Sequence, residues 1–325
     1  MRARLSVVIS PAPWLLIAIG LAVGASAGEK TLPRELEAIG NSFTAIRPLP
    51  PQLVDTLSGW VEPVDPVKIV GPIYFVGTRG LGAYLIATPA GHILLDGGMP
   101  SSAKDIEASI RKLGFKPEDI RILLVSHAHV DHAGTTAYFK RMSDAQVAVM
   151  ARDVDNLRSG GKTDPAYATT PAFYFPPVKA DRVLKDGDTV TLGSVTLTAR
   201  LTAGHTPGCT TWITSVVDGG TRYGVVFPGS SHVNPGMQLI ENPLYQGIAD
   251  DYRKTFAVLA SIKPDIWLGA HTEAFNFEEK RARASEGPAA WVDPEGYRAY
   301  VAKERAEFEA QLRNEQTDSS DTQLK

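Results

Sequence analysis

The sequence predicts an α/β protein in which two β-sheets pack face to face and helices cover their outer faces. Three observations lead to this prediction. Short β-rich segments occur in two separate series, each series is followed by segments of helical pattern, and no short repeat is present. A chain of 325 residues is long enough to bury the core that such a sandwich needs.

Composition excludes several classes of protein. Hydrophobic residues make up 43% and charged residues 21% of the chain, so a disordered, collagenous or repeat-array protein is not expected. The 33 basic and 36 acidic side chains leave a net charge of −3 with no basic stripe, so we expect no nucleic-acid partner. The single cysteine, Cys209, rules out an intramolecular disulfide and a CxxC zinc ribbon. Any bound metal must therefore be held by histidine and carboxylate.

The first 27 residues have the order of a secretory signal. Arg2 and Arg4 precede an uncharged apolar run at residues 14–23, and small residues follow at 25–27. A membrane anchor is the alternative, but the apolar run is far shorter than the ~20 residues that span a bilayer. We therefore expect cleavage after Ala27 and a periplasmic protein with no membrane anchor in its mature form.

The next segment, residues 28–65, is rich in proline and lacks a clear period, so we expect an extended arm laid over the body. Residues 66–325 are then expected to form a single domain that ends in a helical tail. Its first strands are predicted as a meander, because β-rich segments separated by glycine or proline occur at residues 67–76, 83–88 and 92–96.

A helix and a buried strand come next. Ser102 and Asp105 have the spacing of a capping box, which predicts a helix through Leu113. Residues 120–125 are almost continuously apolar, which is typical of a strand covered on both faces. After them we predict a helix to about residue 141, a strand at 146–150 and another helix.

The second strand series follows a long irregular loop. Residues 159–180 are rich in proline and aromatic residues, and such loops often cover a site, so Tyr167, Phe173 and Tyr174 are candidates for one of its walls. The predicted strands lie at residues 189–192, 195–201, 210–217, 223–227 and 265–268. Helices are predicted at residues 248–262 and 294–313.

Four side chains of metal-ligand type fall within six residues directly after the buried strand: His127, His129, Asp131 and His132. Zinc favours imidazole nitrogen and carboxylate oxygen, and a catalytic zinc keeps one position for water. Because each metal needs about three protein ligands, later strand ends must supply the others. The candidates are His205 and His271, each of which follows a predicted strand.

The order HxHxDH, then Gly-His-Thr-Pro-Gly, then a histidine after an apolar strand, resembles the metallo-β-lactamase superfamily and its αββα sandwich over most of residues 65–285. Residues 178–191, 197–212 and 242–256 are similar to subclass B3. The resemblance implies two Zn²⁺ ions, of which His127, His129 and His205 hold one, whereas Asp131, His132 and His271 hold the other. His92 matches no ligand position, and His232 lies beside the predicted site.

The resemblance also distinguishes between reactions. Members that cleave thioesters, lactones or phosphodiesters usually carry a metal-bridging aspartate, as Gly-Asp, where residues 228–231 here read Pro-Gly-Ser-Ser. The segment also lacks the cysteine ligand of the other β-lactamase subclasses. The implied activity is zinc-dependent hydrolysis of the cyclic amide of penicillins, cephalosporins and carbapenems by a hydroxide held between the metals, which confers β-lactam resistance.

The resemblance implies roles for further residues. Asp131 is expected to be catalytic as well as a ligand, and Ser230 and Ser231 are expected to bind the substrate carboxylate. Asp96 either supports the metal loop from behind the ligands or is an ordinary turn carboxylate. We expect a monomer whose only partner is the small-molecule β-lactam.

Alternatives stay open. The same fold could hydrolyse lactones or thioesters, and an exported protein could hold zinc without turnover. A serine β-lactamase is disfavoured, because Ser101-x-x-Lys104 matches only the first of its three motifs. Thr272-Glu273 replaces the Pro-Gly that often follows the last histidine in the family, so the shape of that loop is not predicted.

Overall fold

The computed structural model of this chain describes residues 31–323, so the predicted signal segment lies outside the described residues. Two mixed β-sheets pack face to face with helices on their outer faces, which confirms the predicted fold class. Within residues 31–323, no helix has the length and apolar character needed to cross a membrane.

The first sheet has seven strands in chain order. They are β1 (Val67–Val70), β2 (Ile73–Phe75), β3 (Tyr84–Thr88), β4 (Gly91–Leu95), β5 (Ile120–Leu124), β6 (Gln146–Met150) and β7 (Arg182–Leu184). Strands β1 to β4 form the predicted antiparallel meander, and β4 to β7 run parallel to one another. The predicted strand at residues 67–76 is interrupted, because Gly71 turns the chain with φ of +52°. The short β7 was not predicted.

The second sheet has five strands. They are β8 (Thr189–Leu192), β9 (Val195–Leu201), β10 (Thr210–Asp218), β11 (Thr221–Phe227) and β12 (Ile266–Trp267). The order in space is β12-β11-β10-β9-β8, and only the β11–β12 pair is parallel. Their bounds lie within two residues of the predicted ones.

The helices are α1 (Arg34–Phe43), α2 (Pro51–Gly59), α3 (Ala103–Lys112), α4 (Val130–Ala133), α5 (Thr136–Ser143), α6 (Val154–Ser159), α7 (Ile248–Ser261), α8 (Phe277–Ala282) and α9 (Pro294–Gln323). The last helix extends ten residues beyond its predicted end. Ser102 does not cap α3 as predicted. It lies in a 3₁₀ turn with α-like backbone angles, whereas a capping residue needs an extended conformation.

The proline-rich arm is not extended, and this prediction was wrong. It contains α1 and α2, which bury Leu36, Ile39 and Leu57 against the outer face of the first sheet. Pro51 begins α2, since the first turn of a helix needs no amide hydrogen from that residue. The prolines therefore delimit helices here.

The core has two layers, because side chains alternate along each strand. On β3, Tyr84 and Ile86 point into the space between the sheets, whereas Leu85 points to the outer helices. The loops that follow β5, β9, β11 and β12 meet at one edge of this sandwich, where their histidines come into contact.

Candidate metal centre

Three imidazoles converge at this edge. His127 and His129 lie in the loop after β5, and His205 lies in the loop after β9. One ring nitrogen of each lies within 4.8 Å of the others, and all three residues are buried. The closest approach, 3.1 Å, joins Nδ1 of His129 to Nε2 of His205. The structure therefore brings together the first predicted ligand set.

On each ring, the nitrogen that faces away from the other two histidines, here called the outer nitrogen, contacts a neighbouring group. The pairs are His127 Nδ1 with Ser126 Oγ at 3.0 Å, His129 Nε2 with Asp164 Oδ2 at 3.1 Å, and His205 Nδ1 with the carbonyl oxygen of His232 at 3.0 Å. With a proton on each outer nitrogen, the inner nitrogens present lone pairs to a common point. Nε2 of His127 is buried and has no hydrogen-bond partner among the described residues.

Electrostatics keep most of this set neutral. Burial, together with the neighbouring imidazoles, lowers the pKa of His127 and of His205 well below the usual value. Burial also opposes a charge on His129, but the adjacent Asp164 carboxylate outweighs it and raises that pKa. Three inward-facing imidazole nitrogens, one of them without a hydrogen-bond partner among the described residues, are the donor set that a zinc ion requires. The residues present fit the metal.

The second predicted set lies directly beside the first. His132 Nε2 is 3.1 Å from Asp131 Oδ2 and 3.3 Å from His271 Nε2, and His271 Nε2 is 3.5 Å from the same carboxylate oxygen. The charge of Asp131 raises the pKa of His132 although burial lowers it, and burial lowers the pKa of His271 to about 4. One carboxylate oxygen and two imidazole nitrogens thus form a second site that could hold a metal.

Asp96 lies behind both sets. Its Oδ1 accepts a hydrogen bond of 2.7 Å from the backbone amide of Ser126, and its Oδ2 is 3.7 Å from His132 Nδ1. The residue adopts a left-handed conformation, with φ of +58°, which is uncommon outside glycine. Burial raises the pKa of Asp96 to about 6. The carboxyl thereby links the start of the metal loop to one of its histidines.

Sequence reasoning missed a second supporting carboxylate, Asp153. Its Oδ2 accepts hydrogen bonds from the Ala128 amide at 3.0 Å and from Thr206 Oγ1 at 2.8 Å, and its Oδ1 accepts one from the Gly208 amide at 2.6 Å. This buried side chain therefore ties the loop of His127 and His129 to the loop of His205. The sequence feature that could have identified Asp153 is its position three residues after the predicted strand at residues 146–150.

Asp164 was missed as well. Besides its bond to His129, it accepts hydrogen bonds from the amides of Ala166 and Tyr167, at 2.8 and 2.9 Å. It is the only acidic residue in the loop of residues 159–180, which was the signal that could have identified it. The loop thus contributes to the metal centre as well as to the surface around it.

A cavity of about 660 Å³ opens over both sets. Tyr167 and Phe173, stacked with ring centroids 4.0 Å apart, form one wall. Tyr174 is not part of it and donates a hydrogen bond to the carbonyl of Ala168. The arm contributes Phe43 and Trp60, whose roles the sequence did not indicate.

The two predicted substrate-binding serines differ. Ser230 lies on the cavity wall, and its Oγ is buried without a hydrogen-bond partner among residues 31–323. Ser231 Oγ is 2.9 Å from the hydroxyl of Tyr300 on α9. At the position where a bridging aspartate would follow Gly229, the side chain is therefore a free hydroxyl.

The loop after His271 has a distinct anchor. The Thr272 amide donates a hydrogen bond of 3.1 Å to the carbonyl of Gly80, and its hydroxyl donates one to the carbonyl of Arg79. The Trp60 ring lies 5.8 Å from the ring of His271.

His92 packs on Phe115 at the start of β4, and so lies outside the two ligand sets.

His232 lies between the two sets of ligands. Its ring centroid is 4.4 Å from that of His205 and 6.3 Å from that of His271, and it lines the cavity. Burial lowers the pKa of His232 to about 3. Its backbone carbonyl accepts hydrogen bonds from both His205 and Tyr252, so the residue also positions a candidate ligand.

Comparisons with known proteins agree with this geometry. A family model described as the metallo-beta-lactamase superfamily matches residues 82–271. The structure of native FEZ-1 metallo-beta-lactamase from Legionella gormanii is 43% identical with a TM-score of 0.77, and the match covers 79% of this chain and 98% of that chain. BJP-1, a subclass B3 metallo-beta-lactamase of Bradyrhizobium japonicum, is 39% identical with a TM-score of 0.76, covering 81% and 99%.

A curated relative, a probable metallo-hydrolase of Burkholderia pseudomallei (strain 1710b), is 34% identical over 114 residues. That match covers 35% of this chain and only 36% of the relative. The family model and the two solved structures each extend over more than half of the chain, and the segment that the family model matches includes all six candidate ligands. The chain therefore belongs to the metallo-beta-lactamase superfamily, and its structural relatives include a subclass B3 metallo-beta-lactamase.

Proposed function

We propose that this protein is a zinc-dependent β-lactamase that hydrolyses the amide bond of penicillins, cephalosporins and carbapenems and so confers resistance to them. The observation that carries the proposal is the pair of adjacent ligand sets, of which His129, Asp131, His205 and His271 line one cavity. A cavity of about 660 Å³ suits a drug-sized bicyclic substrate. The similarity to FEZ-1 and BJP-1 over most of the chain supports the same reaction.

We assign two zinc ions to the two sets. One zinc ion would be held by three imidazole nitrogens, those of His127, His129 and His205. The second would be held by Asp131, His132 and His271, which supply one negative charge. Bound zinc supplies Lewis acidity, which lowers the pKa of water towards ~7 and polarises a carbonyl group.

The side chains of this chain then position the reactants. Neighbouring histidines, acting against burial, hold the pKa of Asp131 below its usual value, so the carboxylate stays ionised and can accept a hydrogen bond that orients the attacking water. The free hydroxyl of Ser230 can donate a hydrogen bond to the substrate carboxylate. The stacked rings of Tyr167 and Phe173 exclude water from one side of the cavity.

The context of this reaction is also proposed. A secretory signal at residues 1–27, cleaved after Ala27 on export, would deliver the enzyme to the periplasm, where β-lactams meet their targets. The mature protein would then consist of the arm at residues 28–65 and the domain at residues 66–325. We propose that it is a monomer that acts on a small-molecule substrate, binds no nucleic acid and has no membrane anchor.

The deciding experiment measures hydrolysis of a carbapenem and a cephalosporin by the purified protein, before and after chelation and again after zinc is restored. We expect turnover that chelation abolishes and zinc recovers, with about two zinc ions per chain by metal analysis. Zinc binding with hydrolysis of lactones or thioesters, but not of lactams, would overturn the proposal in favour of the alternative activity. Zinc binding with no turnover of any of these would indicate a binding protein.

A further inference from the structure

The last helix contributes part of the cavity wall. Helix α9 follows the segment that the family model matches, and it contributes Tyr300 and Glu304 to the cavity. These residues are four apart on one helix, so their side chains lie on the same face. Neither belongs to the metal centre described above.

Glu304 is a buried carboxyl that the fold leaves incompletely paired. The residue is 8% exposed, and its Oε2 has no hydrogen-bond partner among the described residues. The ammonium of Lys303 is 3.9 Å from Oε1, which is beyond hydrogen-bond distance, and its side chain is 55% exposed. Burial, acting against the charge of Lys303, raises the pKa of Glu304 to about 7. A cation entering the cavity would stabilise this carboxylate.

The neighbouring serines indicate which part of a substrate lies near this wall. Ser230 has the free hydroxyl, whereas Ser231 is joined to Tyr300 through their hydroxyl groups. A substrate carboxylate bound at Ser230 therefore lies beside the Ser231–Tyr300 pair, and Glu304 is one helical turn further along α9. In cephalosporins and carbapenems, the ring carbon next to the carboxylate-bearing carbon carries the variable substituent.

We infer that Glu304, with Tyr300 beside it, forms a subsite for a positively charged substituent on the ring carbon adjacent to the substrate carboxylate. A charged ammonium or pyridinium group there would pair with the carboxylate, and the aromatic ring of Tyr300 also favours a cation. The inference rests on the proposed β-lactamase function and adds a preference among its substrates.

The test uses two cephalosporins with the same acyl side chain, one with a pyridinium-methyl group and one with a neutral group at the ring carbon beside the carboxylate. We expect the zinc-loaded protein to favour the cationic compound in kcat/KM. Glu304→Gln should lower kcat/KM for the cationic compound about tenfold, mainly through KM, and leave the neutral compound within about twofold. Glu309→Gln is the matched control, since it removes a partly exposed acid from the same helix outside the cavity.

The outcomes separate the two proposals. Failure of the unmodified protein to hydrolyse either cephalosporin overturns the proposed function and this subsite with it. Hydrolysis of both with no preference for the cationic compound overturns the subsite alone. An equal loss for both compounds in Glu304→Gln also overturns it, because that pattern shows a structural role. The activity of Glu304→Gln on the neutral compound shows whether the variant folds. If the variant does not fold, the preference of the unmodified protein between the two cephalosporins decides whether the subsite exists.

Discussion

Asp164 Oδ2 lies 3.1 Å from Nε2 of His129, on the side of the imidazole that faces away from the metal centre. Neighbouring His129 lowers the pKa of Asp164 against the effect of burial, so the carboxylate accepts the Nε2 proton and leaves Nδ1 free to bind a metal. A loop remote in sequence thus determines which nitrogen of this histidine is available.

Replacing Asp164 with asparagine should weaken zinc binding. An amide can donate to Nε2, and it then favours the tautomer with its proton on Nδ1, the nitrogen that faces the centre. We expect zinc affinity to fall about 10- to 100-fold in a chelator competition assay. Asp155→Asn serves as control, because that carboxylate is exposed and pairs with Arg158 on the surface, away from the histidines. Equal zinc affinities in both variants would show that Asp164 does not set the tautomer.

Asp131→Ala tests the role of Asp131 in turnover. With zinc in excess, we expect kcat to fall by about a hundredfold or more while KM changes little, because the variant loses the group that orients the attacking water. Steady-state kinetics with a cephalosporin, together with the zinc content of the variant, provide the measurement. An unchanged kcat would contradict the proposed role.

The serines after β11 should respond differently to substitution. Ser230→Ala removes the free hydroxyl on the cavity wall, and we expect KM to rise about tenfold with kcat little changed, since a hydrogen bond to a charged group is lost. Ser231→Ala should have a smaller effect, because its hydroxyl is already engaged by Tyr300. A larger increase of KM in Ser231→Ala than in Ser230→Ala would reverse the assignment.

The titration of Glu304 should appear in the stability of the protein. Its pKa is raised from the ordinary 4.5 to about 7, so between these values the folded protein retains a proton that the unfolded chain has lost. The contribution of Glu304 to the free energy of unfolding therefore decreases as pH rises through this range and is constant above it. Glu304→Gln should gain stability relative to the parent between pH 4.5 and pH 8, by about 3 kcal/mol.

Urea unfolding of both proteins at the two pH values, with zinc saturating, checks this prediction. The difference between variant and parent is the relevant quantity, because the titration of other groups cancels in it. A difference that does not change with pH would show that Glu304 titrates normally in the folded protein.

Local sequence patterns were sufficient for most of the fold. Periodicity and glycine or proline breaks placed nearly every strand of both sheets, because strand patterning and turn chemistry act over a few residues. They failed at the arm, where prolines at helix boundaries were interpreted as evidence against helix, and at β7, which has only three residues.

By itself the sequence determined the candidate ligands and the family, because HxHxDH and the two later histidine motifs each lie in a short segment. The tertiary structure decided how those ligands are supported. Asp164 reaches His129 across 35 residues, Asp153 joins loops centred on residues 128 and 207, and Tyr300 meets Ser231 across 69 residues. Such contacts depend on how loops and helices pack against the sandwich, and no local pattern encodes that packing.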